Sequence, residues 1–269
     1  MSENRRLRAQ MPQGGVNLFG PLTRMVKILL IINFAIYVIE LIVFNWMGGG
    51  PLARGMLELT LMPKHVFDKL FVWQVGTYAF LHDWRDPMHI LMNMFMLWIF
   101  GSPLEQRWGP RRFLIFYLVC GVGGGLMTLL LSLLVTLLGV SPSSFFFAAF
   151  GPNAIHLGAS GAVIGLTAAF ALVWSDSQIY MFFVLPMRAK WLIPLELALE
   201  LLMLLAQRRV SYSAHLGGLL FGILIVTGYW RPRYWLDQWH LWRIRQKHKK
   251  KTRSHLSVVK DDEKGRYLH

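Results

Sequence analysis

The sequence predicts an all-α membrane protein built on six transmembrane helices, and three observations carry that prediction. Hydrophobic residues fill 55% of the 269 positions and only 16% are charged, with a mean hydropathy of +0.43, whereas soluble domains carry roughly 25% charged residues. Several apolar runs approach or exceed the ~20 residues that cross a bilayer as a helix. The basic residues gather at the two ends of the chain and in a few short connections, which is how flanks of membrane spans are charged.

Taken in order, the first span is expected from Val26 to Trp46, closed by Gly48-Gly49-Gly50-Pro51. It exceeds a signal-peptide core and lacks a small-residue cleavage pattern, so it reads as a retained anchor. The second span begins at Pro87, a residue suited to a helix's first turn, and runs to about Leu104. The third is expected over about Arg112 to Leu138, the fourth over Leu157 to Trp174, the fifth over Trp191 to Leu205 and the sixth over Ser211 to Tyr229. The connection of about 40 residues between the first two spans is long for a structureless loop. It holds Leu57, Leu59, Leu61, Phe67, Leu70, Phe71 and Trp73, too apolar for a solvated linker, so a partly embedded loop with short helical pieces is expected. No internal repeat is present. The domain reading is a basic N-terminal segment (1–23), a six-helix unit (24–229) and a basic tail (230–269). Trp235, Trp239 and Trp242 recur at helical spacing among arginines, the pattern of an interfacial helix. Lys247 to Lys251 continue it as a lipid-attracting run.

The formal net charge is +14. Five Lys or Arg lie within 5–27, three within 107–112, two at 188 and 190, and twelve from 231 onward, so 22 of the 28 fall on one side of a six-span topology. This asymmetry explains the charge without nucleic acid and makes the lipid bilayer the expected partner. The basic side is expected to be cytoplasmic with both termini on it, in a bacterial plasma membrane, with the site toward the outer face. The single cysteine, Cys120, lies in an apolar run and reads as a small buried hydrophobe.

With both termini on one side, the second, fourth and sixth spans begin at the same level. His89 and Asn93 lie near the start of the second, Ser160 near the start of the fourth and His215 near the start of the sixth. At 1.5 Å of rise per residue, all fall within roughly two turns of their helix starts. Ser160 is flanked by Gly158, Ala159, Gly161 and Ala162, and His215 by Ala214, Gly217 and Gly218. Small residues let two helix backbones approach closely in a membrane, and close approach is what a Ser–His hydrogen bond needs for nucleophilic catalysis. A histidine beside Ser160 takes the hydroxyl proton during attack and returns it to the leaving amine. No acid stands at an evident position to orient it, so a dyad is expected in place of a triad. His89 and Asn93, four residues apart, share a helix face and would donate, with the Ser160 backbone N–H, to a developing oxyanion. A zinc site is disfavoured, because His82, His89 and His215 lack a ligand motif such as H-E-x-x-H; no metal or cofactor is expected.

His89-x-x-x-Asn93, Gly158-x-Ser160-Gly161 and Ala214-His215-x-x-Gly218, on three of six spans, resemble the rhomboid family of intramembrane serine proteases. The resemblance covers about Arg24 to Tyr229, and Glu105-x-Arg107-x-Gly109 is similar to the family's turn after the second span. It implies a rhomboid-like bundle and a Ser160–His215 dyad. It also implies an oxyanion site of His89, Asn93 and the Ser160 amide, and transmembrane proteins as substrates. His82 matches a second family histidine near the oxyanion site, and Trp73 begins the family's loop-one motif. The chain departs from the family at three places. The Trp-Arg pair reads Trp73-Gln74, the often aromatic residue four after the serine is Ile164, and two extra residues separate His82 from His89, with charges at Asp83, Arg85 and Asp86. A competing reading, a transporter or proton channel, rests on Glu40, Glu196 and Glu200, which fall inside predicted spans where acids mark ion paths.

Overall fold

The computed structural model describes residues 20–47, 50–181, 185–207 and 210–229, together with the single positions 239 and 244. The interfacial helix expected of Trp235, Trp239 and Trp242 falls, apart from Trp239, outside the described residues, as do the Lys247 to Lys251 run and most of the 1–23 segment.

Helix α1 (Arg24–Leu41) continues through one π-helical turn, Ile42–Trp46. Its buried residues Val26, Leu29, Asn33, Tyr37 and Glu40 follow helical spacing, while Ile31, Phe34 and Ile39 are exposed apolar side chains. One face therefore packs inward and the other suits hydrocarbon. The connection that follows is helical in pieces, as expected: α2 (Pro51–Leu57), α3 (Pro63–Lys69), α4 (Gln74–Thr77) and a 3-10 turn Tyr78–Phe80. Leu61, Val66, Tyr78 and Ala79 form a small core together with Ala214 from the far end of the chain. Helix α5 (Pro87–Trp108) starts on Pro87, and the Asp86 side chain caps the Met88 N–H at 3.1 Å. The charged residues that lengthen this turn thus close it: Asp83 Oδ1 accepts from the Arg85 N–H at 3.0 Å, and the Arg85 guanidinium lies over the Trp84 ring.

Helix α6 (Pro110–Leu137) and the short α7 (Phe145–Phe150) lead to α8 (Ser160–Val173). An antiparallel pair, β1 (Gln178–Met181) and β2 (Leu185–Arg188), precedes α9 (Leu192–Leu205) and α10 (Tyr212–Thr227). This hairpin adds to the all-helical expectation; four residues of alternation are too few to announce a strand. All six expected apolar segments are helical. Three of them have the length and hydropathy of a full crossing: Arg24–Trp46, α5 and α6. The 14 residues of α8 rise about 21 Å at 1.5 Å each. Helix α5 runs to Trp108, beyond the expected Leu104, so Glu105 and Arg107 lie within the helix.

Helix α8 sits at the centre, buried at every position from Gly161 to Ala171 and packed against α5, α6 and α9. Leu166, Ala169 and Phe170 join Leu97, Phe100, Phe113 and Phe116 in the main core. A helix apolar all round is a buried one. Contacts divide the chain into two units, Met1–Val226 and Thr227–His269. Every element above lies in the first unit except the last residue of α10; in the second, Gly228 takes φ +72° just after that helix.

Glu105 fixes one end of the bundle. Its buried carboxylate, on α5, accepts from the Met25 N–H at 2.9 Å, the Val26 N–H at 2.9 Å and the Thr23 hydroxyl. These are first-turn amides that α1 cannot satisfy internally, and a carboxylate there complements the helix dipole. The Glu-x-Arg turn seen in the sequence is a cap supplied by one helix to another.

Candidate active site

Ser160 is the first residue of α8, where the expected start was Leu157. The difference comes from Gly158, whose φ of +122° is outside helical geometry and open to glycine alone. Its N–H donates to the Tyr78 carbonyl at 3.0 Å. A Cβ on Gly158 would lie 2.7 Å from His89 Nε2, so the missing side chain is what lets that imidazole reach the backbone beside Ser160. The opening amides of α8 have no carbonyl within the helix to bond, and they carry the positive end of its dipole.

Helix α10 is drawn against this start by glycines. A Cβ on Gly218 would meet the Gly161 carbonyl oxygen at 1.9 Å, and one on Gly222 would meet the Gly165 oxygen at 2.7 Å. From α6, a Cβ on Gly124 would meet the Ala214 oxygen at 2.7 Å, so α10 is seated between two backbones. Glycine stripes let membrane helices touch main chain to main chain. The result is a 2.6 Å contact between His215 Nε2 and Ser160 Oγ, a short hydrogen bond. His215 is buried and Ser160 half-buried.

Sequence reading finds no acid to orient His215, and here the structure corrects it. Glu200 Oε1 stands 2.5 Å from His215 Nδ1. Two lone pairs at that distance would repel, so a proton lies between them. Glu200 and Glu196 share a face of α9, and both line a cavity of ≈ 180 Å³ behind His215 with Ile164, Tyr212 and Leu216. The rotation of α9 about its axis, which aims that face at His215, is set by packing and leaves no trace in local sequence.

The remaining expected residues fall around this pair. His89 reaches Gly158 as described. Asn93 is buried and donates from Nδ2 to the His89 carbonyl at 2.9 Å, within its own helix. His82 is buried with its ring edge-on to His89, centroids 5.2 Å apart, and its N–H donates to the Glu40 carboxylate at 3.0 Å. Burial, and after it the neighbouring His89, pushes the His82 imidazole down to about 3, so it is neutral. Trp73 is exposed and its Nε1–H donates to the Glu58 carbonyl at 3.1 Å. Gln74, where the family's arginine would stand, is fully buried. Its Nε2 donates to the same carbonyl at 3.0 Å, and its Oε1 accepts from the Met62 N–H at 3.1 Å. A neutral amide here clamps the embedded loop. Gly161 and Gly218 form the helix contact above.

One residue near the site is not flagged by sequence reading. His156, four positions before Ser160, exchanges both main-chain hydrogen bonds with Leu61, at 2.8 and 2.9 Å, joining the embedded loop to the serine loop. Burial, then the proximity of His215, pushes its imidazole down to about 4. An ionisable residue beside the Gly-x-Ser motif was the available signal.

Comparison with known proteins agrees with the motifs. The chain matches the Rhomboid domain over residues 70–232, more than half its length. It is 24% identical to Rhomboid-like protease 3 of Toxoplasma gondii over 192 residues, which is 70% of this chain and 64% of that protein. It is 31% identical to RHOMBOID-like protein 6, mitochondrial, of Arabidopsis thaliana over 155 residues (57% and 42%). It is 30% identical to Rhomboid protein 1, mitochondrial, of Saccharomyces cerevisiae over 168 residues (62% and 43%). The chain thus spans between two fifths and two thirds of the length of these relatives. The relatives from Arabidopsis thaliana and Saccharomyces cerevisiae are mitochondrial by name, which overturns the expectation of a bacterial plasma membrane. The naming of the basic side as cytoplasmic falls with it, since charge asymmetry distinguishes two faces of a membrane without identifying which membrane it is. On the match that covers residues 70–232 and on the curated relatives, the chain belongs to the rhomboid family.

Proposed function

We propose that this chain is a serine endopeptidase that hydrolyses peptide bonds in or near the transmembrane segments of membrane-protein substrates. One observation carries the reading: a hydroxyl and an imidazole from separate helices, 2.6 Å apart at the start of α8. Ser160 is the nucleophile and His215 the general base. As Ser160 Oγ forms its bond to the scissile carbonyl carbon, its proton passes to Nε2. The carbonyl π pair moves onto oxygen, where the Ser160 amide, His89 and Asn93 donate to it. On collapse the C–N bond breaks and the proton on Nε2 goes to the leaving amine. A water then repeats the sequence on the acyl-enzyme, releasing the carboxylic product and restoring Ser160. His82, Gly158, Gly161, Gly218 and Trp73 support this site.

The bilayer-embedded unit is 24–229, with six crossing segments that bring α5, α8 and α10 to one level. A substrate helix shields its own carbonyls, so the segment to be cut must unwind first, and substrates with glycine or other helix-weak residues at that level are preferred. Two of the three acids of the ion-path reading are engaged within the protein: Glu40 is bonded to the His82 amide and Glu200 to His215.

The test is incubation of purified protein in detergent with a generic transmembrane substrate and, separately, with a fluorophosphonate probe. Wild type cleaves and labels, while Ser160→Ala does neither and keeps its unfolding transition. Cleavage surviving in Ser160→Ala sinks the reading.

A further inference from the structure

The third group at this site is an acid carried by a helix that contributes neither the serine nor the histidine. We propose that Glu200 is a positioning residue that holds His215 in the tautomer whose Nε2 lone pair faces Ser160, making a Ser160–His215–Glu200 chain of hydrogen bonds. The inference rests on the peptidase reading and deepens it.

Geometry supplies the first argument. The two ring nitrogens of His215 are engaged at opposite ends, Nε2 with Ser160 Oγ at 2.6 Å and Nδ1 with Glu200 Oε1 at 2.5 Å. Two hydrogen bonds on opposite sides fix both the plane and the protonation pattern of an imidazole. Little else at hand does so. Ile164, one turn beyond Ser160, lines the cavity behind the ring with an aliphatic chain that cannot stack on it as an aromatic residue would.

Burial supplies the second. The side chains of His215 and Glu200 are 10% and 23% exposed, and Glu200 Oε2 is buried without a hydrogen-bond partner among the described residues. An acid in an apolar helix is costly and is held there by a partner; the partner the structure gives it is His215. When Nε2 takes the serine proton, the imidazolium that forms lies against a carboxylate in a weakly screening environment, where a charge-assisted hydrogen bond is at its strongest. Glu196, one turn earlier on α9, lines the same cavity with no such bond to His215 among the described residues.

The near-isosteric Glu200→Gln tests this in the full-length protein, read by steady-state cleavage of a transmembrane peptide and by the rate of fluorophosphonate labelling. A hydrogen bond to a charged group predicts a fall in kcat and in labelling rate of roughly 10- to 150-fold, with KM within about threefold because a positioning residue acts through the His215 ring. Glu200→Asp restores part of the rate. In a His215→Ala background Glu200→Gln has no further effect on residual labelling, because the residue acts through the missing ring; a scaffolding role would add its loss there as well. Proton NMR of labelled histidine shows a strongly deshielded Nδ1–H in the wild type that Glu200→Gln abolishes. The proposal is overturned if Glu200→Gln labels within twofold of wild type, if its loss lies in KM alone, or if that loss persists undiminished in the His215→Ala background. Wild type that labels at Ser160 while Glu200 variants are unimpaired sinks this inference alone; wild type that neither labels nor cleaves sinks the peptidase reading and this inference with it.

Discussion

Gly218→Ala is the sharpest perturbation the bundle offers. A methyl at position 218 would sit 1.9 Å from the Gly161 carbonyl oxygen and 2.5 Å from its carbon, where ordinary contact begins at 3.4 Å. The obstacle is backbone, so no side chain can swing aside; the helices must part, and the shortfall is about 1.5 Å. Taken up by moving α10 off α8, that displacement stretches the Ser160–His215 contact from 2.6 Å to as much as about 4 Å, beyond hydrogen-bond range. Overpacking of this kind costs about 1–3 kcal/mol of stability, and a misplacement near 1 Å costs on the order of 100-fold in rate. The expected result is therefore a protein that folds with a lowered unfolding midpoint and labels with a fluorophosphonate at least 100 times more slowly. The assay is the labelling time course beside thermal unfolding in the same detergent. Gly55→Ala is the control: a Cβ there meets nothing within 4 Å, so it leaves labelling unchanged and gains at most about 1 kcal/mol from helix propensity. Wild-type labelling by Gly218→Ala would refute the claim that backbone contact between α8 and α10 sets the distance between nucleophile and base.

Further outcomes follow from other buried groups. Glu105→Ala strips partners from the Met25 and Val26 amides and the Thr23 hydroxyl, lowering stability by about 2–4 kcal/mol in a denaturant titration; a change under about 0.5 kcal/mol would mean the cap is dispensable. Gln74→Ala leaves the Met62 N–H without its acceptor and the Glu58 carbonyl with Trp73 alone, costing about 1–3 kcal/mol and raising proteolytic nicking within 50–80, read by limited digestion. His82 and His156 titrate near 6.5 when unfolded but only at about 3 and about 4 when folded. Below pH 6.5 these two positions therefore bind more protons unfolded than folded, and their contribution to stability is full above that pH and falls as pH drops toward 4. The decline amounts to roughly 1.4 kcal/mol per pH unit for each histidine. His156→Leu removes about 1.4 kcal/mol per pH unit from the acid side of that dependence, read in unfolding midpoints from pH 6 to 4.5, and an unchanged dependence contradicts the assignment.

What the sequence made legible was what is local. Six apolar runs, the small residues around Ser160 and His215, and the helical pieces in the first connection can each be read within a window of twenty residues, because periodicity and helix-breaking residues act at that range. Residue pairings that depend on how one helix is rotated against another were hidden. Glu196 and Glu200 could be placed on one face of their helix, but whether that face meets lipid, water or His215 depends on the packing of α9 against α8, and the acids read equally well as an ion path. Gln74 looked like a lost arginine, because nothing nearby in the chain shows that its partners are the main chain at Glu58 and Met62. The expected start of α8 lies three residues early, since the positive φ of Gly158 has no signature in the hydropathy pattern.

Ser160 and His215 lie 55 residues apart in the chain, and the histidine is made last. While the polypeptide is being made, a nascent molecule that has emerged only as far as α8 carries a hydroxyl with nothing to deprotonate it and a glycine face at Gly161 and Gly165 still waiting for Gly218 and Gly222. On the proposed peptidase reading, arrival of α10 would complete the packing and supply the base together, so that synthesis itself acts as the safety catch.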